Sequence, residues 1–150
     1  MSGQGTLVAV AGLVEAIHIS PEYERLPEAV EVVEVTADGV RDDRYFGARN
    51  LTLIEAEALE GLRADTGIEL TAAESRRQVL TRGVRLNDLV GKRFTVGDVQ
   101  CVGEEWCEPC ASLQSLTYPG VLRGLVHRGG LRADIVRGGR IAVGDPVAAE

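Results

Sequence analysis

The chain reads as a mainly β, barrel-like single domain with a few short helices. Three observations predict this class. Short runs of alternating apolar and polar residues recur along the chain and are bounded by Gly, Pro and Asp. Residues 91–98 (GKRFTVGD) are echoed by residues 138–145 (GGRIAVGD), each reading as a turn, a short strand and a tight Gly-Asp turn. A length of 150 residues with 45% hydrophobic content suffices for one good core, and no linker or low-complexity tract divides residues 1–150.

Taken in order, residues 14–19 predict a half-buried strand that stops at Ser20-Pro21, with His18 on its polar, solvent-facing side. Residues 30–35 predict a second strand, ended by Ala37-Asp38-Gly39. The charged loop 41–47 leads into Leu51-Thr52-Leu53-Ile54. Residues 55–66 predict a helix, with Ala58, Leu59 and Leu62 on one face, acids in the first turn and Gly67 as the stop. A polar stretch through 71–74 leads to Arg76-Arg77-Gln78-Val79-Leu80-Thr81-Arg82-Gly83.

In the last third, residues 94–99 and 141–147 predict barrel strands that bracket an excursion carrying the site. Residues 133–143 predict a hairpin whose Gly138-Gly139 supplies the positive φ of a primed turn. Residues 121–128 read as helical, with His127 capping the C-terminal turn before Gly129. Trp106 is expected to pack, and Asp98 and Asp145 to form turns.

Composition narrows the function classes. A net charge of −7 argues against nucleic acid or an anionic membrane as partner. Of the 16 basic residues only Lys92 is lysine, and it sits in a turn, so Schiff-base chemistry with pyridoxal phosphate is not expected. No apolar run reaches the roughly 20 residues of a membrane span. Residues 7–14 lack the basic region and cleavage context of a leader. The expected compartment is the cytoplasm, where thiols stay reduced.

Trp106-Cys107-Glu108-Pro109-Cys110 carries the chemistry, because it holds two of the three cysteines ahead of a helix-like run, 111–116. A thiol at a helix start meets free N–H groups and the positive dipole end, both of which favour thiolate. Pro109 sets the turn. The thioredoxin scaffold does not fit: only 40 residues follow Cys110, Pro119 comes too soon for a cis-proline loop, and Pro146 too late. A zinc knuckle wants two such pairs, whereas only Cys101, His18 and His127 remain. A structural disulfide or two reduced, partly buried thiols is the plain alternative. His127 could act as acid or base near the thiols.

Several stretches together resemble the MOSC domain, a family named from the C-terminal domain of molybdenum cofactor sulfurase. They are Gly12-Leu13-Val14 to Ile19, Asp43-Arg44-Tyr45-Phe46-Gly47, Leu53-Ile54-x-Ala56-Glu57-Ala58-Leu59, residues 76–83, residues 89–97, Cys107-Glu108-Pro109-Cys110 and residues 128–133. The resemblance spans about residues 12–147 and implies a β-rich, barrel-like fold with peripheral helices. It also implies that Cys110, preceded by proline, is the family's characteristic cysteine. Related proteins carry sulfur as a persulfide or reduce N-hydroxylated compounds at cofactor-bound molybdenum, so a sulfur transferase or a molybdenum-cofactor-dependent reductase is implied, with Cys110 as ligand to molybdenum where the cofactor binds. Gln78 stands where many relatives have Asn, and Cys107 is a second thiol that many lack; two thiols can resolve a persulfide into a disulfide.

An anionic cofactor or small substrate calls for guanidinium donors. Arg44, Arg76, Arg77, Arg123, Arg128 and Arg132, with Gln78, lie in the segments expected around the site. Two further readings stay open: a module that delivers cofactor or sulfur to a partner enzyme without turnover, and a thiol-disulfide oxidoreductase using Cys107 and Cys110.

Overall fold

The structure is a computed structural model that describes residues 9–150; residues 1–8, including the start of the 7–14 apolar run, lie outside the described residues. In chain order the elements are β1 (Ala9–Ile19), β2 (Glu28–Val30), β3 (Val32–Thr36), β4 (Gly39–Val40), β5 (Asn50–Glu55), α1 (Ala56–Thr66), α2 (Ala72–Ser75) and β6 (Val79–Arg82). After a 3₁₀ turn at Leu86–Leu89 come β7 (Arg93–Val96), β8 (Val99–Trp106), α3 (Ala111–Leu116), α4 (Val121–Gly124), β9 (Leu131–Arg137), β10 (Gly139–Ala142) and β11 (Pro146–Ala149).

Seven strands close into a barrel in the order β1-β11-β7-β8-β9-β5-β6, with β6 returning to β1 and β2 added beside β1. Six of the seven pairings are antiparallel. The exception, β5 beside β6, is parallel, with Leu53 opposite Val79. A parallel pair needs a crossover, and α1 and α2 supply it. Gly67, at φ +78, ends α1, while Thr71 and Glu74 form a reciprocal capping box on α2, in a stretch expected only as polar connection.

The core is mainly apolar and is shared by the barrel and a small second sheet, β10-β3-β4. Val14, Ile17, Leu51, Leu53, Val79, Phe94 and Leu131 meet Val33, Val35, Val40 and Ile141 in one cluster. A bulge between Val14 and Ala16 resets the alternation of β1, so that Val14 and Ile17 both point into the core. Outside the barrel, Leu62, Leu70, Leu113, Val121 and Leu125 join α1, α3 and α4 in a second cluster.

Three expectations need correction. Residues 133–143 are not a hairpin: β9 pairs with β5 and β8, and β10 with β3. Gly138 and Gly139 lack positive φ. They serve close approach instead, since a Cβ on Gly138 would lie 2.3 Å from the Val35 carbonyl oxygen. The echoed segments each break at their Gly-Asp turn, and β7 and β10 belong to different sheets. The turns themselves meet, with the Gly97 N–H donating to the Pro146 carbonyl and the Asp98 N–H to the Arg140 carbonyl, both at 3.0 Å. The helix expected through residue 128 stops at Gly124, and His127 sits at φ +65.

Candidate functional site

A cavity of about 490 Å³ opens beside the barrel where the end of β1, the 41–49 loop, β5, the Arg76–Gln78 segment and the Cys107–Leu116 segment meet. Its scaffold is a buried hydrogen-bond network that begins at Asp43. One carboxylate oxygen accepts from the Ser20 N–H at 2.7 Å, and the other from the Tyr45 N–H and Gln78 Nε2, both at 3.1 Å. The Gln78 Oε1 in turn accepts from the Thr52 N–H at 2.9 Å. Because a carboxylate only accepts, it dictates which end of the Gln78 amide faces it, and the other end serves β5. The Arg44 N–H donating to the Ser20 carbonyl at 2.9 Å completes the tie between the loop and β1.

The arginines divide into two groups. Arg44, Arg76, Arg77 and Arg132 line the cavity, where Asp43 is the one acidic side chain. Arg123 is exposed on α4 and does not line it. Arg128 turns away, donating to the Gly124 carbonyl and pairing with Asp65 at 2.9 Å. Neither joins the group expected around the site: Arg123 stays exposed on α4, and the Arg128 side chain is committed to Gly124 and Asp65.

Within the cavity the four have different duties. Arg77 Nε donates to the Gly129 carbonyl at 2.8 Å and Nη2 to the Cys107 carbonyl at 3.1 Å, clamping the cysteine turn to the loop before β9. Arg76 holds the Tyr23 carbonyl at 2.9 Å. Arg132 pairs with Glu105 at 2.5 Å. Arg44 lies against the rings of Tyr23 and Tyr45, at 4.6 and 4.1 Å from their centroids, with Nη2 donating to the Tyr45 hydroxyl and no carboxylate partner among the described residues. Its buried Nε has no partner.

All three cysteines are free. Cys101 lies in the barrel core, where burial and then Asp134 push its thiol up to about 12. Cys107 and Cys110 both line the cavity, but Cys107 is 8% exposed whereas Cys110 is open. Gly129 permits this turn, because a Cβ there would lie 2.5 Å from the Cys107 carbonyl oxygen. Cys110 is the N-cap residue of α3, with extended backbone and no side-chain cap bond, so its sulfur is uncommitted. The Tyr23 hydroxyl and Ser112 Oγ are 2.7 Å apart, bringing the loop before β2 to α3.

Both histidines depart from expectation. His18 is buried, not solvent-facing: the far face of β1 at this point is the cavity wall. Burial lowers its pKa, and its Nδ1 has no partner. His127 does not cap α4; its N–H and Nδ1 engage the Glu108 carboxylate at 2.8 and 3.0 Å, and its ring meets Trp106 edge-on at 5.3 Å. Asp43, Thr52, Tyr23 and Tyr45 are site residues outside the expected set; the one signal, for Asp43 and Tyr45, is the run Asp43-Arg44-Tyr45, which puts an acceptor, a cation and an aromatic ring in a Gly-punctuated loop.

The family model of the MOSC domain matches residues 17–148. The fold is similar to the crystal structure of YuaD from Bacillus subtilis, with a TM-score of 0.81 and 14% identity over 92% of this chain and 94% of that one. YiiM from Geobacillus stearothermophilus superposes with a TM-score of 0.74 and 16% identity, over 93% and 75% of the two chains. YiiM from Escherichia coli gives 0.69 and 14%, over 91% and 69%. At these identities the likeness is one of fold. No curated protein matches the chain in sequence.

Proposed function

The chain belongs to the MOSC domain family, and on that premise we propose that it handles sulfur, or binds the molybdenum cofactor, through Cys110 in an arginine-lined cavity. The observation that carries the reading is the open Cys110 thiol on the same cavity as four arginines, against which stand Asp43 in the lining and Glu105 paired with Arg132. That balance, in a chain of net charge −7, favours an anionic guest.

Sulfur transfer needs only thiol chemistry. The Cys110 thiolate attacks the outer sulfur of a donor persulfide, forming a new S–S bond as the donor's breaks, and the donor leaves as a thiolate. Passing that outer sulfur to an acceptor thiolate repeats the exchange. Alternatively, the Cys107 thiolate attacks the inner sulfur, closing a disulfide and releasing hydrosulfide. Arg77 bears on either route by holding the Cys107 turn through two backbone carbonyls.

The residues present also fit a molybdenum cofactor, whose phosphate and dithiolene-bound metal are anionic. Arg44, whose Nε is a buried donor without an acceptor, and Arg132 would hold the anionic groups, and Cys110 would offer its thiolate to the metal. Bound, the cofactor would supply a metal centre for oxygen-atom removal from a substrate. Delivery of cofactor or sulfur to a partner enzyme would use the same contacts without turnover.

Exposure speaks against a thioredoxin-type exchange. There the first cysteine of the pair attacks, yet here the first is buried and the second open. The test is intact mass after a small-molecule persulfide donor, with metal analysis of the protein as isolated. One added sulfur atom, or retained molybdenum, survives Cys107→Ser and disappears with Cys110→Ser. A null Cys107→Ser, with Cys110→Ser accumulating mixed disulfides, replaces this reading with the oxidoreductase one.

A further inference from the structure

We infer that residues 21–26 form a lid over the cavity, latched through Tyr23 and Arg76, and that release of this latch admits a guest to the cavity's inner wall. The inference rests on the cavity being a ligand site, and is independent of what Cys110 does there.

The segment is the loop of the β1–β2 pair, and both of its feet are fixed. Ile19 lies opposite Glu28. Ser20 is tied by its N–H to Asp43 and by its carbonyl to the Arg44 N–H, and Pro27 is buried and lines the cavity. Between the feet all six residues are exposed, Leu26 among them, so none is held down by full apolar burial. The ties that do hold them are polar. The Tyr23 ring lines the cavity, and its hydroxyl lies 2.7 Å from Ser112 Oγ on α3, two residues beyond Cys110. Arg76 Nη1 and Nη2 donate to the Tyr23 and Arg25 carbonyls at 2.9 and 3.3 Å. Exposed bonds of this kind contribute little net free energy, because water replaces them on release. Fixed ends, no buried anchor between them and solvent-exposed latches are the properties from which active-site lids are built.

The backbone of Arg76 supports the same assignment. It is the C-cap residue of α2 at φ +62, a left-handed position that favours glycine or asparagine over a long side chain. Its guanidinium donates to the lid and lies 5.6 Å from the centre of the Tyr23 ring. A disfavoured conformation that glycine would relieve is held by a residue whose side chain reaches across to this segment.

Two native reporters test the lid. Trypsin cleavage after Arg25 tracks the open population, with the first cut identified by fragment mass. Diethylpyrocarbonate modification of the two histidines, followed by ultraviolet absorbance, reads the cavity: exposed His127 gives the fast phase, and buried His18, on the cavity wall, the slow one. His127→Gln leaves the slow phase alone. Tyr23→Phe and Ser112→Ala each remove the bond to α3, and each should speed Arg25 cleavage and His18 modification about two- to tenfold. The double variant should be no faster than the faster single, because both lose the same bond. Ser112 lies outside the sequence that trypsin reads, so agreement of the singles separates lid opening from altered recognition. Arg76→Gly, which suits the left-handed position, should speed both reporters too, with circular dichroism showing that each variant is folded. Cys110→Ser should leave both rates within about twofold, so failure of the sulfur chemistry and failure of the lid are separate results. If the folded parent is cut at Arg25 as fast as the latch variants, or if His18 reacts at the parent's rate in all of them, the inference is wrong.

Discussion

Removing the Asp43 carboxylate should unfold the site's scaffold before it touches any chemistry. Asp43→Ala leaves the buried Ser20 N–H and Gln78 amide without their acceptor, while the more exposed Tyr45 N–H can turn to water. Each of the two buried orphans costs about 1–3 kcal/mol, which puts the loss at roughly 2–6 kcal/mol. At about 2–4 °C per kcal/mol for a chain of this size, Tm falls by roughly 4–24 °C. Asp43→Asn tests the polarity of the network, because its amide NH₂ would oppose the Gln78 NH₂. The Gln78 amide cannot turn over without orphaning the Thr52 N–H. Adding Gln78→Glu to Asp43→Asn restores donor to acceptor, and the double variant should recover about 1 kcal/mol or more relative to the sum of the singles. Urea unfolding with unchanged m-values measures both effects. A loss below about 1 kcal/mol for Asp43→Ala, or strict additivity in the cycle, would refute the account of Asp43 as organiser of the cavity.

Two further outcomes follow from the same structure. In the folded protein near neutral pH, one thiol should react promptly with an aromatic disulfide reagent and be lost in Cys110→Ser; Cys101, raised to about 12 inside the core, should react only on unfolding. Prompt labelling of Cys101 would contradict its placement. His18 should make stability depend on pH: burial lowers its folded pKa, so below about 6.5 the unfolded chain takes up a proton that the folded chain resists. The contribution is present above that pH and lost as pH falls toward the folded pKa. Urea midpoints at about pH 7.5 and 5.5 should therefore differ more in the parent than in His18→Phe, and parallel differences would count against a neutral, buried His18.

Strands β1 and β3, the β7 segment, α1 with its Gly67 stop and the Cys-bearing turn before α3 were legible because periodicity and turn chemistry act locally. What escaped the sequence depended on what lies across a strand. His18 follows Ile17 on β1 and alternates away from the core, yet that face meets the cavity wall and not water. Gly138-Gly139 carries a hairpin signature, but Val35 on the neighbouring β3 and Asp98 in the β7–β8 turn crowd it. The capping box of α2 was readable from Thr71 and Glu74 and was overlooked among polar neighbours. For the arginines, segment alone decided nothing: Arg128 and Arg132 are four residues apart, but one ends on Asp65 and the other on the cavity.

The division of labour among the cavity's arginines bears on where function can reside. Arg76 and Arg77 spend donors on backbone carbonyls, and Arg132 on Glu105, so each is partly satisfied within the fold. Arg44 alone of the four has a buried donor without a partner, and two tyrosine rings lie against its guanidinium. The cysteines divide in the same way: Cys107 is buried and its backbone clamped, while Cys110 keeps its sulfur open. One side of each pairing is invested in holding shape. The other, Arg44 and Cys110, carries unspent bonding capacity on one cavity, and removing it should cost the fold little compared with removing Asp43 or Arg77.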